Sequence, residues 1–268
     1  GFLGEPGVAL DEGIGAELVE IPFDRTGPFA RWRNTRRLIK LCRKRGVNIV
    51  HAHRRAAGWI AGAVAKRSGA AFLGTVHDLT DVTPRRPRRR DDMVLASGSR
   101  VVAVSDYVAE CLTGDNGVEK TRLRVIPPGV DMAELDPDRV RGQRVAALAE
   151  RWNLGEDKKV VLLPAPMFRD HGHLTLMKAM AKLERTDFLL LFLGTDEAQP
   201  GFVKQVESLV KAGGIGDRVR FAGSCPDIPA ALQLADVVVL PMSQPVPSAR
   251  TIVAAQAMGR PVIVSNQG

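Results

Sequence analysis

The stretch that decides the fold is "DRVRFAGSCPDIPAALQLADVVVLP", residues 217–241. It contains two apolar runs, at 218–223 and 236–241, and a helix-like segment lies between them. A strand, a helix and a second strand in this order predict a βαβ unit, in which the strands are parallel and the crossover is right-handed.

The same alternation of apolar runs and helix-like segments extends in both directions along nearly the whole chain. The runs are rich in Val, Ile and Leu and alternate little with polar residues, which is typical of strands buried on both faces. Two of the intervening helices are predicted from about Phe29 to Arg45 and from about Gly172 to Leu183. The sequence therefore predicts an α/β fold with parallel sheets. The ten predicted strands are 16–22, 47–53, 70–76, 100–105, 123–127, 159–165, 188–194, 218–223, 236–241 and 260–265.

The rhythm breaks once, at the polar and Pro-bearing connection "VIPPGVDMAELDPDRV". A new helix is predicted after it, near Val145–Trp152. The boundary near Pro127–Asp136 predicts two domains, at 1–130 and 131–268, each a doubly wound parallel sheet of the Rossmann-like kind. We expect the two domains to face each other across a cleft, with ligands beyond the carboxyl ends of the strands.

Charge is distributed unevenly along the 268 residues. The net charge is +8, eight basic residues fall within 31–45, and residues 85–90 read RRPRRR. This basic first half predicts an anionic partner, which could be a phospholipid headgroup, a phosphorylated lipid acceptor or a nucleic acid. The alternative is a solvated helix face together with an exposed loop. Nucleic acid is the least favoured partner, because aromatic residues make up only 5% of the chain and none interleaves the Arg run.

Apolar runs and cysteines bear on the location of the protein. No apolar run approaches the length of a membrane span, and the three cysteines show no CxxC spacing. We expect reduced thiols and a cytoplasmic protein, with peripheral contact at the inner membrane face as a further possibility.

Several pieces of the chain together resemble the family 4 retaining glycosyltransferases of the GT-B fold. They occur in the family's order, and the tandem of "RVIPPGVD" and "DRVRFAGSCPDIPAALQLADVVVLP" is the most specific part. The remaining pieces are "VNIVHAH", "GTVHD", "RVVAVSDYVAE" and "AQAMGRPVIVS".

The resemblance implies an activity and a division of labour between the domains. Such enzymes transfer a sugar from a nucleotide donor to an acceptor hydroxyl with retention of configuration, and they use no metal ion or other cofactor. The first domain takes the acceptor, here a lipid-linked molecule or a polysaccharide of the cell envelope, and the second takes the nucleotide sugar. The resemblance also implies an internal fragment, which lacks the family's first βα unit and its C-terminal end.

At the donor site this chain departs from the family's pattern. Pro166 and His171 stand where the family has an Arg and a Lys that face the diphosphate, and Arg169 lies between them. Val246 and Ala254 stand where the family has two Glu that support the sugar and the ribose. The sequence therefore leaves two hypotheses open: an active transferase, or a degenerate member that acts as a binding or scaffold protein.

Other positions match the family's pattern. His77 corresponds to a histidine that faces the cleft near the reacting sugar, and Ser105 corresponds to an acceptor-side position or simply caps a helix. The predicted nucleobase loop contains Ser224, Cys225 and Asp227, of which Asp227 is alternatively a helix cap. The predicted N-terminus of the late donor-site helix contains Ser248, Ala249 and Arg250.

Two H-x-H pairs, His51/His53 and His171/His173, are the only spacing that suggests a metal. Neither pair has a third ligand at a suitable spacing, so the sequence predicts no metal site.

Overall fold

The computed structural model describes residues 19, 21, 28–78, 93–114, 116–155, 157–183, 187–194, 200–246 and 250–267. The chain forms two compact units, Gly1–Pro127 and Pro128–Gly268. The sequence prediction placed the division at 130.

The first unit contains a four-stranded parallel sheet of order β1-β2-β3-β4. One helix precedes the first strand, and two others connect the first strand to the second and the third strand to the fourth. The strands are β1 Ile49–Ala52, β2 Ala71–Val76, β3 Arg100–Ala103 and β4 Leu123–Val125, and the helices are α1 Pro28–Lys44, α2 Arg55–Ser68 and α3 Asp106–Gly114.

Apolar side chains from these elements form the core of the first unit. Val76, Val101 and Ala103 from the strands pack with Val108 and Leu112 of α3, and all five are fully buried. A second cluster lies between α1 and α2 and contains the buried side chains of Leu38, Cys42, Ile60 and Val64.

The second unit contains a five-stranded parallel sheet of order β7-β6-β5-β8-β9. Its strands are β5 Lys159–Pro164, β6 Phe188–Leu193, β7 Val219–Gly223, β8 Val237–Leu240 and β9 Val262–Val264. Its helices are α4 Gly142–Arg151, α5 His173–Ala181, α6 Pro200–Ala212, α7 Ile228–Leu234 and α8 Arg250–Ala257.

Helices cover both faces of this second sheet. Successive residues of its central strands point to opposite faces, so they pack against different helices. Leu189 and Leu191 of β6 pack in one cluster with α4, α7 and α8. Leu190 and Phe192 pack in another with α5 and α6. All six residues of β6 are buried, which explains why its sequence is apolar without alternation.

The α/β fold with two parallel sheets that the sequence predicted is confirmed. Nine of the ten predicted strands lie in the described residues as strands of these sheets. The predicted strand at 16–22 falls largely outside the described residues, as does the basic run 85–90.

Candidate functional site

The direction of the strand order changes between β5 and β8 in the second unit. From β5 the chain steps outward to β6 and β7, and then crosses back to place β8 on the other side of β5. In doubly wound sheets such a switch point opens a crevice at the carboxyl ends of the two strands. The loops that follow β5 and β8, residues 165–172 and 241–246, are therefore the candidate donor site.

These two loops are bonded to each other. The backbone N–H of Ser243 donates to the carbonyl oxygen of Asp170 over 2.9 Å, and the Ser243 hydroxyl donates to the same oxygen over 3.3 Å. Gly172 has φ +82°, and a Cβ there would overlap the carbonyl oxygen of Pro241. Only glycine fits this backbone without strain, so the contact between the loops depends on it.

Two of the predicted donor positions lie within hydrogen-bond distance. Nδ1 of His171 lies 2.8 Å from the carbonyl oxygen of Pro166. Since a carbonyl can only accept, Nδ1 of His171 carries the proton and donates it. The remaining ring nitrogen, Nε2, is then an acceptor when the imidazole is neutral, and becomes a donor to phosphate only when the ring is charged.

Arg169, the third predicted donor contact after β5, packs against α6. Its guanidinium carbon lies 5.3 Å from the centre of the Phe202 ring, within the range of a cation–π contact. Arg169 is exposed and belongs to the loop after β5, and its guanidinium lies over the Phe202 ring of α6.

Val246 and Ala254 stand where the family has two Glu, and both are half-buried. The backbone N–H of Val246 lies 3.4 Å from the carbonyl oxygen of Gln267, and Ala254 packs half-buried against the core of the second unit. Arg250 is the exposed first residue of α8. Ser248 and Ala249 lie outside the described residues.

In the predicted nucleobase loop, Asp227 bonds to residues of α4 and α7. The Asp227 carboxylate accepts from the backbone N–H of Ala230, which caps α7, and forms a two-point ion pair with Arg144 over 2.8 and 2.6 Å. The hydrogen bond from Arg144 holds the pKa of Asp227 below its ordinary value. Cys225 is buried with a raised pKa, because burial disfavours the thiolate, and Ser224 is exposed. The helix-cap interpretation of Asp227 agrees with this geometry.

Three histidines meet at the carboxyl ends of β1 and β2 in the first unit. Nδ1 of His53 lies 2.9 Å from Nε2 of His77, and the rings of His51 and His53 are 4.1 Å apart between centroids. Nε2 of His51 lies 2.7 Å from the hydroxyl of Thr75. Sequence reasoning considered His77 and the H-x-H pair separately and missed this cluster, because only the register of β1 against β2 brings them together.

Crowding changes the acid–base properties of this cluster. Desolvation, followed by repulsion from His51 and His77, lowers the pKa of His53 to about 4. Desolvation and the charge of His77 also lower the pKa of His51. His53 is therefore neutral at neutral pH, and its bond to His77 does not depend on an imidazolium at position 53.

The second H-x-H pair is separated by the fold. His171 lies partly exposed at the crevice, whereas His173 is 0% exposed in the core, against the edges of Phe192 and Phe202. Burial, followed by the nearby His171, lowers the pKa of His173 to about 4. Across the described residues, no group of three or more His, Cys, Asp or Glu side chains is arranged to hold a metal ion.

Ser105 caps a helix. Its hydroxyl oxygen accepts from the backbone N–H of Val108 over 3.3 Å, in the first turn of α3. This satisfies one of the N–H groups that a helix leaves unpaired at its start.

Comparison with known proteins places both halves of the chain among glycosyltransferases. Residues 3–134 match the model of Glycosyltransferase Family 4, and residues 158–268 match the model of Glycosyl transferases group 1. The two matches cover most of the chain and together support a GT-B glycosyltransferase.

Among individual relatives, one carries the name of a glycosyltransferase and another that of a spore coat protein. Spore coat protein SA of Bacillus subtilis is 25% identical over 268 residues, which cover 96% of this chain and 64% of that protein. D-inositol 3-phosphate glycosyltransferase 1 of Catenulispora acidiphila is 29% identical over 244 residues, which cover 82% of this chain and 56% of that protein. The chain thus spans less than two thirds of the length of either relative.

Solved structures show the same architecture. A glycosyltransferase from Rickettsia africae superposes with a TM-score of 0.84 at 26% identity, over 96% of this chain and 68% of that one. Alr3699/HepE from Anabaena, solved with UDP and glucose, superposes with a TM-score of 0.75 at 19% identity, over 94% and 67%. At that lower identity the likeness shows the fold alone.

Proposed function

We propose that the protein transfers a sugar from a nucleotide-sugar donor to a hydroxyl of a lipid-linked or polysaccharide acceptor, with retention of configuration and without a metal ion or other cofactor. The observation that carries this proposal is the switch point in the strand order between β5 and β8. The positions that the family uses for the donor diphosphate, 166 and 171, follow β5, and position 246 follows β8.

The choice of donor is supported by the neighbours in fold. Alr3699/HepE was solved with UDP-glucose as well as with UDP and glucose. A nucleotide diphosphate bound at the carboxyl ends of β5 and β8 would follow the general rule for ligands of doubly wound sheets. We therefore propose a nucleotide sugar as the donor.

The proposed reaction breaks the bond between the anomeric carbon and the diphosphate. The acceptor oxygen bonds to the same carbon on the same face, and the proton of the acceptor hydroxyl passes to the departing phosphate oxygen. Negative charge grows on the diphosphate as it leaves, so fixed donors around it lower the barrier. In the described part of the crevice, His171 presents Nε2, the ring nitrogen that does not bond to Pro166, and this nitrogen donates to the diphosphate when the ring is protonated.

The proposed membrane contact rests on the outer face of α1. Phe29 and Trp32 are 71% and 51% exposed, and their rings are stacked 5.8 Å apart between centroids. The guanidinium of Arg36 lies 4.2 Å from the centre of the Trp32 ring. Leu38 and Cys42 on the opposite face are buried against α2. Among the described side chains of α1, the other exposed cations are Arg33, Arg37, Lys40, Arg43 and Lys44.

An aromatic pair beside a row of cations, with no acidic residue in the helix, is suited to the interface of an anionic bilayer. No described helix combines the length and the apolar character that a membrane crossing requires. We therefore propose peripheral binding at the cytoplasmic membrane face, close to a lipid-linked acceptor.

Vesicle binding tests this contact. Each cation near an anionic surface contributes about 1 kcal/mol, so Arg33→Gln with Arg37→Gln should weaken binding to phosphatidylglycerol vesicles roughly 30-fold. Lys204→Gln with Lys211→Gln on α6 removes the same charge elsewhere and should have little effect. Equal losses in both double variants would indicate that net charge, and not α1, drives binding. Tight binding to RNA or DNA instead of vesicles would favour the nucleic-acid alternative.

Turnover tests the transferase proposal. The full-length protein is incubated with UDP- and GDP-sugars and a membrane extract that contains lipid-linked acceptors, and nucleotide release and the glycosylated product are both measured. Release of nucleotide that requires the acceptor supports the proposal. NMR of the product then shows whether the anomeric configuration is retained.

The alternative is a degenerate member that binds a partner without transferring sugar. The residues at positions 166 and 171 favour it, because Pro166 carries no cation and one ring nitrogen of His171 is occupied by the Pro166 carbonyl oxygen. A charged hydrogen bond contributes roughly 1.5–3 kcal/mol, so the loss of several such bonds would slow transfer by about three to four decades. Donor binding without any product, across the acceptor extracts, would favour this alternative.

A further inference from the structure

The register of the first sheet brings the histidine cluster together. β1 and β2 pair in parallel with Ile49 opposite Ala71 and His51 opposite Leu73. Alternate residues of a strand share a face, so His51 and His53 lie on the same side as Thr75 and His77. His51 bonds to Thr75 and His53 bonds to His77. Each partner lies two residues beyond the position directly opposite in the register.

We infer that His53 is a positioning residue for His77: it engages Nε2 of His77 and leaves Nδ1 as the ring nitrogen that meets the substrate. This inference rests on the proposed function for the role of His77 near the reacting sugar. The resemblance implies no role for His53, and its own ring reaches the site only through His77.

The contact restricts His77 in two ways. A hydrogen bond of 2.9 Å fixes the orientation of the His77 ring, which otherwise turns about two side-chain bonds at the exposed end of β2. It also couples the tautomers of the two rings, because one nitrogen of the contact must donate a proton while the other accepts it. Within the described part of the chain, Nδ1 of His77 has no such partner.

His51 and Thr75 support His53 from behind. Thr75 is 4% exposed, so the hydroxyl that holds His51 belongs to the rigid part of β2. The His51 ring is tilted against the His53 ring, with 4.1 Å between the ring centroids. The cluster therefore forms a line from the buried hydroxyl to the exposed His77.

Each strand continues into a charged residue directly after its last histidine. Arg54 follows His53, Asp78 follows His77, and both are exposed. Desolvation within the cluster disfavours a charge on His53, which agrees with an orienting role for that ring.

Side-chain substitutions of matched geometry test the inference. His53 uses Nδ1, a position that the amide of Asn reproduces and the longer amide of Gln does not. We expect His53→Asn to keep the contact, and His53→Ala and His53→Gln to lose it. His51→Gln is the matched control, because it reproduces Nε2 of His51 toward Thr75.

The first readout is the tautomer of His77 in the full-length protein labelled with ¹⁵N-histidine. The chain has five histidines, and the signals of His77 are those that disappear in His77→Gln. We expect one tautomer in the wild type, His53→Asn and His51→Gln, and a mixture in His53→Ala and His53→Gln. If the His77 signals are the same in His53→Ala as in the wild type, the inference is wrong.

The second readout is the kinetics of transfer. A misplaced reacting group costs about 100-fold, so His53→Ala should lower kcat by ~10- to 100-fold with a smaller change in KM for the donor, and His53→Asn should recover most of it. An unchanged kcat in His53→Ala would contradict a positioning role. If no variant and not even the wild type transfers sugar while the tautomer responds as expected, the proposed function fails and the orientation of His77 by His53 stands. If His53→Ala does not fold, the comparison of His53→Asn with His53→Gln decides.

Discussion

Two H-x-H pairs with the same spacing end in opposite surroundings. His51 and His53 leave β1 on one face and bond to side chains of the neighbouring strand. His171 and His173 lie on either side of Gly172, and the first reaches the crevice while the second enters the core. Because a strand repeats every two residues and a helix start does not, the same spacing gathers side chains in one unit and separates them in the other.

Gly172 is the residue that makes this separation possible, and its replacement should have the largest effect. Gly172→Ala adds a Cβ at φ +82° that overlaps the carbonyl oxygen of Pro241. Positive φ and overlap with backbone together should cost about 2–5 kcal/mol of unfolding free energy, measured by urea denaturation. Gly214→Ala is the control, since its φ is +62° but nothing lies within 4 Å, and it should cost about 1–2 kcal/mol. Equal costs would contradict the close contact at Pro241.

The environment of His173 should make stability depend on pH. Its pKa is lowered to about 4 in the folded protein from 6.5, so the unfolded chain binds the proton first as pH falls. Stability is then unaffected above pH 6.5 and falls by about 3 kcal/mol between pH 6.5 and 4. Urea midpoints across this range measure the loss.

His173→Leu should make this pH dependence less steep, because it removes the group that must stay neutral in the core, and it should leave the smaller contribution of His53, whose pKa is also lowered to about 4. His171→Gln keeps that group and should retain most of the dependence, and so it is the matched control. A pH profile that is equally steep in His173→Leu and the wild type would place the titration elsewhere.

His171, the partly exposed histidine of the second pair, is a position where a substitution should increase the affinity for nucleotide. His171→Lys places a permanent ammonium at this position, and one charged hydrogen bond to the diphosphate is worth roughly 1.5–3 kcal/mol. The affinity for UDP should rise about 10-fold or more in calorimetric titration. Glu207→Gln on α6 changes the net charge equally and should leave the affinity unchanged. No gain in His171→Lys would indicate that this position does not face the diphosphate.

The smallest effect is expected at the cap of α7. Asp227→Ala removes the acceptor for the Ala230 N–H and the ion pair with Arg144, and the lost cap should cost about 1 kcal/mol. Asp227→Asn keeps an acceptor and should cost less. A larger loss of nucleotide affinity than of stability would instead indicate that Asp227 contacts the nucleotide.

The fold could be predicted from the sequence because its strands are buried on both faces. The run that forms β6 is apolar without interruption, and the repeated order of strand and helix leaves few topologies to choose from. The helix caps at Ser105 and Asp227 could also be predicted from the sequence, since each residue directly precedes a helical segment, which is the position of an N-cap.

The candidate site was less predictable, because its contacts join residues from different elements. The His53–His77 bond depends on the register between β1 and β2, and the His171–Pro166 bond depends on a turn after β5. The H-x-H spacing alone gave both pairs the same interpretation, although one is a surface cluster and the other is split between crevice and core.

The central claim is that the crevice between β5 and β8 still binds a nucleotide sugar. It does so although Pro166, His171, Val246 and Ala254 replace the two cations and two acids of the family. Calorimetric titration of the full-length protein with UDP, GDP and a panel of their sugar derivatives tests it most directly. We predict micromolar binding that becomes tighter when the sugar is attached. No binding at millimolar concentration of any donor would contradict the claim and would leave a donor domain that is kept for its fold alone.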